Sequence, residues 1–368
     1  MCLVLAPASL AQSFESFQAQ QQQGFAQFQQ DLDEGQQAYR DTFEREIQRY
    51  QNELSQFWRN PQLSTNTRWV EYRDGNQIRT IVDYERNEII IEVPAEQGVE
   101  KGLDVLSDLL TKDLGSARAD DVVEQRTQQA LGQRDASRAS DDQQRVLSEV
   151  APQAVPGMLE QATAERRNER SETGASRPVI AITVPLPASR TSDKAREYLP
   201  LVQQYAQRYQ LEPALVLAIM HSESSFNPMA RSHIPAYGLM QIVPGSAGKD
   251  VAEVLYGEQK LLSSDYLYQA ENNVRAGSVY LNILDQRYLR GIEHPESRLY
   301  AVIAAYNTGA GNVARAFVGS NNISAAIQRI NQMSPRDVYR TLQRDLPYQE
   351  TRDYLEKVTA RQAAYRSF

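Results

Sequence analysis

The chain has 368 residues, 41% hydrophobic and 23% charged, with a formal net charge of −8. That length suffices for two domains of ordinary size. The acidic balance, with no basic stripe among the Lys and Arg residues, speaks against a nucleic-acid binder. Cys2 is the single cysteine, which excludes internal disulfides and cysteine-based zinc sites. His221, His233 and His294 match no metal-ligand spacing such as HExxH, so no metal is expected.

Residues 1–11, MCLVLAPASLA, read as the back half of a secretory signal, with small Ser9 and Ala11 ahead of a cut after Ala11. The basic leading region of such a signal is missing, so the gene start is expected upstream. A lipid anchor at Cys2 is disfavoured, because the cysteine precedes the end of the apolar run. No later stretch approaches the ~20 apolar residues of a membrane span. The expectation is an exported protein, soluble or peripherally attached.

Residues 12–57 are rich in Gln, and Phe14, Phe17, Phe25, Phe28, Tyr39, Phe43, Ile47, Tyr50, Leu54 and Phe57 recur at three- or four-residue intervals in places. That pattern predicts one or two amphipathic packing helices. Asp74-Gly75 between two β-rich runs predicts a hairpin, and Glu85-Arg86-Asn87 predicts a second turn, giving a three-stranded antiparallel meander over 67–93. Polar helices are expected near 98–114, 120–131 and 158–169. The apolar run from Arg177 to Pro185 predicts a fourth strand of the same sheet, stopped by Pro185 and Pro187. A domain boundary is expected close to Ser189, separating an N-terminal α+β unit (12–189) from a helical unit (190–368).

Helices are expected over 194–209, 213–223, about 272–289, 296–306, 311–318, 335–344 and 349–364, with connections short enough for a compact bundle. In the second of these, Pro213 suits the first helical turn. Val216, Ile219 and Met220 form an apolar stripe, and Glu223 lies seven, four and three residues beyond them. Its carboxyl would therefore be desolvated, and it sits at the negative end of the helix dipole; both effects favour the protonated form. A glutamate so placed is a candidate general acid, the bland alternative being a polar helix terminator.

Four stretches follow in the same half: HSESSFNP at 221–228, YGLMQIVPGSA at 237–247, AAYNTGAGNV at 304–313 and ETRDYLEKV at 350–358. Together, and in this order, they resemble the lysozyme-like catalytic domain of soluble-type lytic transglycosylases, over about 193–365. The N-terminal half is similar in arrangement and length to that of membrane-bound members, although their lipoprotein box is not visible. The resemblance implies an α+β protein with a mainly α, lysozyme-like C-terminal domain. It makes Glu223 the single catalytic acid and assigns substrate contacts to Met240, Gln241, Tyr306, Asn307 and Tyr354, and less firmly to Ser232. It implies no cofactor. The partner it implies is the glycan strand of peptidoglycan, handled by a monomer in the periplasm, with peripheral attachment to the outer membrane as a further expectation.

Two-carboxylate glycosidases place their groups roughly 5 Å or 6.5–9.5 Å apart. No second acid stands out near these motifs, Asp250 and Glu253 being candidates by proximity only. The family's reaction needs one: the acid protonates the glycosidic oxygen, then accepts the proton of the sugar's own C6 hydroxyl as a 1,6-anhydro ring closes. Rival readings are a hydrolytic muramidase and a wall-binding scaffold. Gly309-Ala-Gly311-Asn-Val-Ala314 fits the dinucleotide pattern GxGxxA, but the lead-in reads as helix and no acidic residue follows about 20 positions on. Nucleotide binding is rejected. Gly238 and Met240 also admit plain structural readings, as a bend and as core filler, and Tyr306 and Asn307 as a helix end capped by Gly309.

Overall fold

The computed structural model describes residues 34–132, 144–233 and 235–368. The signal-like stretch, Cys2 and the aromatic residues from Phe14 to Phe28 lie outside them. Helix α1 runs over 34–54 and turns Phe43, Tyr50 and Leu54 inward against Trp58 and Val123. The meander follows as β1 (Arg68–Arg73), β2 (Ile78–Asp83) and β3 (Glu88–Pro94). Asp74, Gly75 and Asn76 all take positive φ, the conformation that Asp, Gly and Asn tolerate best, so the chain reverses there and Val70 pairs with Ile81.

The connection to the next strands is helical: α2 (Gly98–Thr111), α3 (Leu114–Ala119), α4 (Val122–Ala130) and α5 (Val155–Glu160). Asp113 and Asp121 cap α3 and α4 by accepting from the Ser116 and Glu124 amides. Then come β4 (Thr163–Arg170) and β5 (Ser176–Pro185). The sheet order is β1-β2-β3-β5-β4, antiparallel throughout. Ile89, Ile91, Val93, Ile182 and Val184 form one core with Val105, Leu106 and Leu109 of α2. Gly102 allows that close approach, since a Cβ there would strike the Ile182 side chain.

The predicted fourth strand joins the sheet as β5, but the predicted helix over 158–169 is corrected: α5 ends at Glu160 and β4 takes over from Thr163. TAERRNER consists mostly of helix formers and is exposed along its length. It is an edge strand whose conformation comes from pairing with β5, which overrides its propensity.

The second half is helical: α6 (Arg190–Tyr209), α7 (Pro213–Ser224), α8 (Ala247–Tyr256), α9 (Ser264–Tyr268), α10 (Ala270–Ile283), α11 (Pro295–Thr308), α12 (Ala310–Val318), α13 (Ile323–Ile330), α14 (Pro335–Asp345) and α15 (Gln349–Tyr365). Helices α3, α8, α9 and α13 were not anticipated as separate elements. The predicted helix over 272–289 is α10 plus a π-helical turn at Leu284–Tyr288. Helix α7 is not amphipathic as its stripe suggested. Every residue from Ala214 to Met220 is buried, because α6 and α15 pack on it and the 237–242 loop closes over its end. An apolar helix of this kind belongs at the centre of a domain. The whole is an α+β protein.

Candidate active site

Helix α7 ends in two successive left-handed residues, Ser225 (φ 50°) and Phe226 (φ 58°). The Ser225 amide closes the last turn on the His221 carbonyl at 3.1 Å. The single proton of the Ser224 hydroxyl is shared between the Met220 carbonyl at 3.0 Å and the Leu239 carbonyl at 2.8 Å, tying the helix end to the loop opposite. From this end Glu223 projects. The residue keeps a partly exposed surface while Ser224 to Arg231 behind it are buried. Its carboxyl is nonetheless so closely packed that desolvation dominates, pushing its pKa up to about 8; the Tyr354 hydroxyl opposes this rise and the exposed Glu350 carboxylate adds to it.

Tyr354, on α15, is buried, and among the described residues its hydroxyl has no partner of good hydrogen-bond geometry. It lies close enough to Glu223 to act on the carboxyl, and its own ionisation is suppressed by burial and by that carboxyl's charge. Tyr306, on α11, is buried as well and is pushed up by burial and by the Glu223 charge. Its hydroxyl donates to the Met240 carbonyl at 2.8 Å, and its ring lies 5.5 Å from that of Tyr280. Glu223, Tyr306 and Tyr354 are thus brought together from three helices.

The loop that carries Met240 and Gln241 is a tight reversal in which Tyr237 and Ile242 exchange backbone hydrogen bonds at 3.1 Å. Gly238 has φ 74°, and a Cβ there would run into the Leu267 carbonyl and the Asn273 amide. Asn273 holds the loop from α10, accepting from the Met240 amide at 2.7 Å and donating to the Tyr237 and Leu267 carbonyls at 2.8 and 2.7 Å. The Met240 side chain is fully buried against Gly277. The side chain therefore has the core-filling role that the sequence also admitted, and any contact of this residue with a ligand would come from its backbone. Gln241 is partly exposed with φ 48°. Its Nε2 donates to the Ala230 and Gly238 carbonyls at 3.1 and 2.9 Å, leaving Oε1 buried and without a partner among the described residues.

Asn307 occupies the last turn of α11, where its Oδ1 accepts from the Thr351 hydroxyl of α15 at 2.7 Å. Gly309 ends that helix with φ 84°, as the sequence suggested. Ser232 follows Arg231, which bridges to Tyr237, and its hydroxyl accepts from the Ala236 amide at 3.2 Å. Asp250 bonds Tyr288 on the α8 side and Glu253 pairs with Arg287 and Gln259; neither is among the groups acting on Glu223. Among the described residues no cluster of three His, Cys, Asp or Glu side chains is placed to hold a metal.

The first half of the chain reaches this site, which sequence reasoning did not foresee. The Asn66 side chain donates to the Glu223 carbonyl at 2.8 Å. Arg190 donates to the Ser225 carbonyl at 3.0 Å while paired with buried Glu149 at 2.7 Å. Arg231 pairs with Asp121 at 2.6 Å, and Tyr237 bonds Tyr39. A cavity of about 250 Å³ opens beside the loop, lined by Tyr39, Glu124, Tyr237, Pro244 and Ser264 among others; Glu223 is not in its wall. Asn66 carries no signal in the sequence, being one polar residue in a polar loop. Asn273 is a buried amide on a helix, and the clash space at Gly238 explains it only in three dimensions.

Residues 200–328 match the model of the family described as Transglycosylase SLT domain. Membrane-bound lytic murein transglycosylase C of Pectobacterium atrosepticum is 47% identical over 188 residues, 51% of this chain and 52% of that protein. The protein of the same name from Yersinia pestis is 45% identical over 199 residues, 54% of this chain and 55% of that protein. The chain thus spans about half the length of the curated relatives it matches. The crystal structure of the 70 kDa soluble lytic transglycosylase of Escherichia coli is 26% identical over 46% of this chain and 24% of its own, with a TM-score of 0.36.

Proposed function

We propose, from the premise that residues 200–328 form a Transglycosylase SLT domain, that this protein is a lytic transglycosylase. It cleaves the β-1,4 bond between N-acetylmuramic acid and N-acetylglucosamine in peptidoglycan without water. Glu223 carries the chemistry. The observation that supports this most directly is its carboxyl, raised to about 8 by desolvation at the end of a buried helix and faced by Tyr354. At neutral pH it is mostly protonated and able to donate.

The protonated carboxyl gives its proton to the glycosidic oxygen as the bond from that oxygen to the muramic C1 breaks. The substrate's own N-acetyl oxygen stabilises the electron-poor C1. The resulting carboxylate, stabilised by the Tyr354 hydroxyl, takes the proton of the C6 hydroxyl as O6 bonds C1, leaving a 1,6-anhydro end and a regenerated acid. Part-exposed Gln241, Ser232 ahead of its loop and Asn307 at the end of α11 are the side chains we assign to substrate contact. Tyr306 fixes the loop through the Met240 carbonyl.

We assign the glycan-cutting unit to residues 190–368 and a separate α+β unit to 12–189, the break lying near Ser189. The relatives carry "membrane-bound" in their names, and no helix among the described residues is long and apolar enough to cross a membrane. The relatives' names support attachment to a membrane on the periplasmic side, which we propose to be peripheral, with the protein acting as a monomer.

A hydrolytic muramidase is the second reading, favoured by Glu350, the carboxylate that acts electrostatically on Glu223. Mass spectrometry of digested sacculi distinguishes the two. We expect muramic ends 18 Da lighter than the hydrolytic product; fully hydrated reducing ends would overturn the transglycosylase reading.

A further inference from the structure

We infer that Asn66, in the loop before β1, is a positioning residue for the reaction, holding the backbone that carries Glu223. The inference rests on the reading of Glu223 as the acid. Asn66 lies outside the matched family segment, and the argument comes from two reciprocal bonds. Its side-chain amide donates to the Glu223 carbonyl at 2.8 Å, and its own carbonyl accepts from the Asn227 side chain at 3.1 Å. The Asn227 Oδ1 in turn accepts from the Met229 amide at 2.9 Å. One residue of the first half therefore clasps the chain on both sides of the left-handed corner at Ser225 and Phe226.

That corner needs an external clasp. The last four carbonyls of a helix have no partner within it, and the carbonyl of Glu223 is one of them. Two successive non-glycine residues with positive φ are strained, and persist only where the surroundings impose them. Arg190 imposes one constraint, at the Ser225 carbonyl, and Asn66 imposes the other, at the acid itself. Without the Asn66 amide, the Glu223 carbonyl has to find water, and the last turn of α7 can loosen on the side facing the first half. The carboxyl then loses both its fixed aim and part of its desolvation. Misplacement by about 1 Å can lower a rate by on the order of 100-fold.

The test is steady-state kinetics on solubilised strands of alternating N-acetylglucosamine and N-acetylmuramic acid, with the intact chain. Asn66→Ala and Asn66→Asp, the latter keeping the shape and removing the donor, are expected to lower kcat at least 10-fold with KM within twofold. The alkaline limb of the Asn66→Ala pH profile moves to lower pH, as a better hydrated carboxyl ionises earlier. Arg126→Ala, which breaks a bidentate pair with Glu53 inside the first half, controls for mere loss of stability there and keeps its kcat. An unchanged kcat and pH profile in Asn66→Ala, with Glu223→Gln inactive, would overturn the inference alone. Full activity of Glu223→Gln would overturn the reading beneath it. Equal kcat losses in Arg126→Ala and Asn66→Ala would reduce Asn66 to a structural contact and also count against the inference.

Discussion

The Tyr306 hydroxyl donates to the Met240 carbonyl at 2.8 Å, so this tyrosine bears on the site through the loop backbone. Tyr354 is its complement: among the described residues its hydroxyl has no other protein partner, and it acts on the carboxyl directly. Two residues of the same type, both brought near one acid, thereby take different jobs.

Conservative Phe substitutions separate those jobs. Tyr306→Phe leaves the Met240 carbonyl unpaired in a buried setting and should destabilise the fold by about 1–3 kcal/mol, measurable by urea unfolding, with the alkaline limb of activity in place. Tyr354→Phe removes an interaction that lowers the Glu223 pKa. Its alkaline limb should therefore move to higher pH, and kcat should fall because the carboxylate formed on proton donation loses its stabilising hydroxyl. A shift in the opposite direction would contradict the placement of Tyr354.

Glu223 should govern the pH dependence of turnover. The protonated form donates, so kcat/KM should fall as pH rises through about 8. Glu223→Gln should abolish strand cleavage while retaining binding to sacculi; a pelleting assay beside a turbidity assay reads both.

The same carboxyl should make the wild type less stable at alkaline pH. Its folded pKa lies above the unfolded value, so the folded state holds more protons between about 4.5 and 8. The associated stability is fully present below about 4.5 and is lost as pH rises through about 8. Glu223→Gln removes this dependence and should exceed the wild type by about 1 kcal/mol or more at pH 8. Parallel stability curves for the two proteins across that window would be inconsistent with a desolvated carboxyl.

Gly238→Ala meets both obstacles at once: a left-handed φ of 74° and a Cβ directed into the Leu267 carbonyl and Asn273. Backbone strain alone costs about 1–3 kcal/mol, and the displaced backbone carbonyl adds to it. Thermal unfolding should show the drop, with activity lost as the Gln241 loop shifts. A variant of wild-type stability would show that the loop yields easily.

Arg231 and Asp121 join the two halves through a pair at 2.6 Å, with Arg231 buried. Arg231→Met leaves Asp121 and the buried Glu124 without their cation, a change that costs about 3–5 kcal/mol when such a pair is broken on one side. The double variant Arg231→Met with Asp121→Asn should recover part of that loss. Additive losses in the double-mutant cycle would mean the pair is uncoupled.

Local chemistry was readable in the chain itself. Asp74-Gly75 specifies a hairpin because few residues accept its positive φ, Pro213 and Gly309 bound helices α7 and α11, and Glu223 stands at the end of an apolar helix, where burial raises its pKa. Those features depend on residues within a few positions of one another. Tertiary structure decided the rest. TAERRNER became an edge strand only because β5 offered it hydrogen bonds, and Met240 became core because Gly277 left room for it. The pKa of Glu223 depends on Tyr354 and Glu350, more than 120 residues away, and its backbone is held by Asn66, 157 positions earlier. Desolvation and hydrogen-bond partnership act over a few ångströms of space, and a sequence records separation only along the chain.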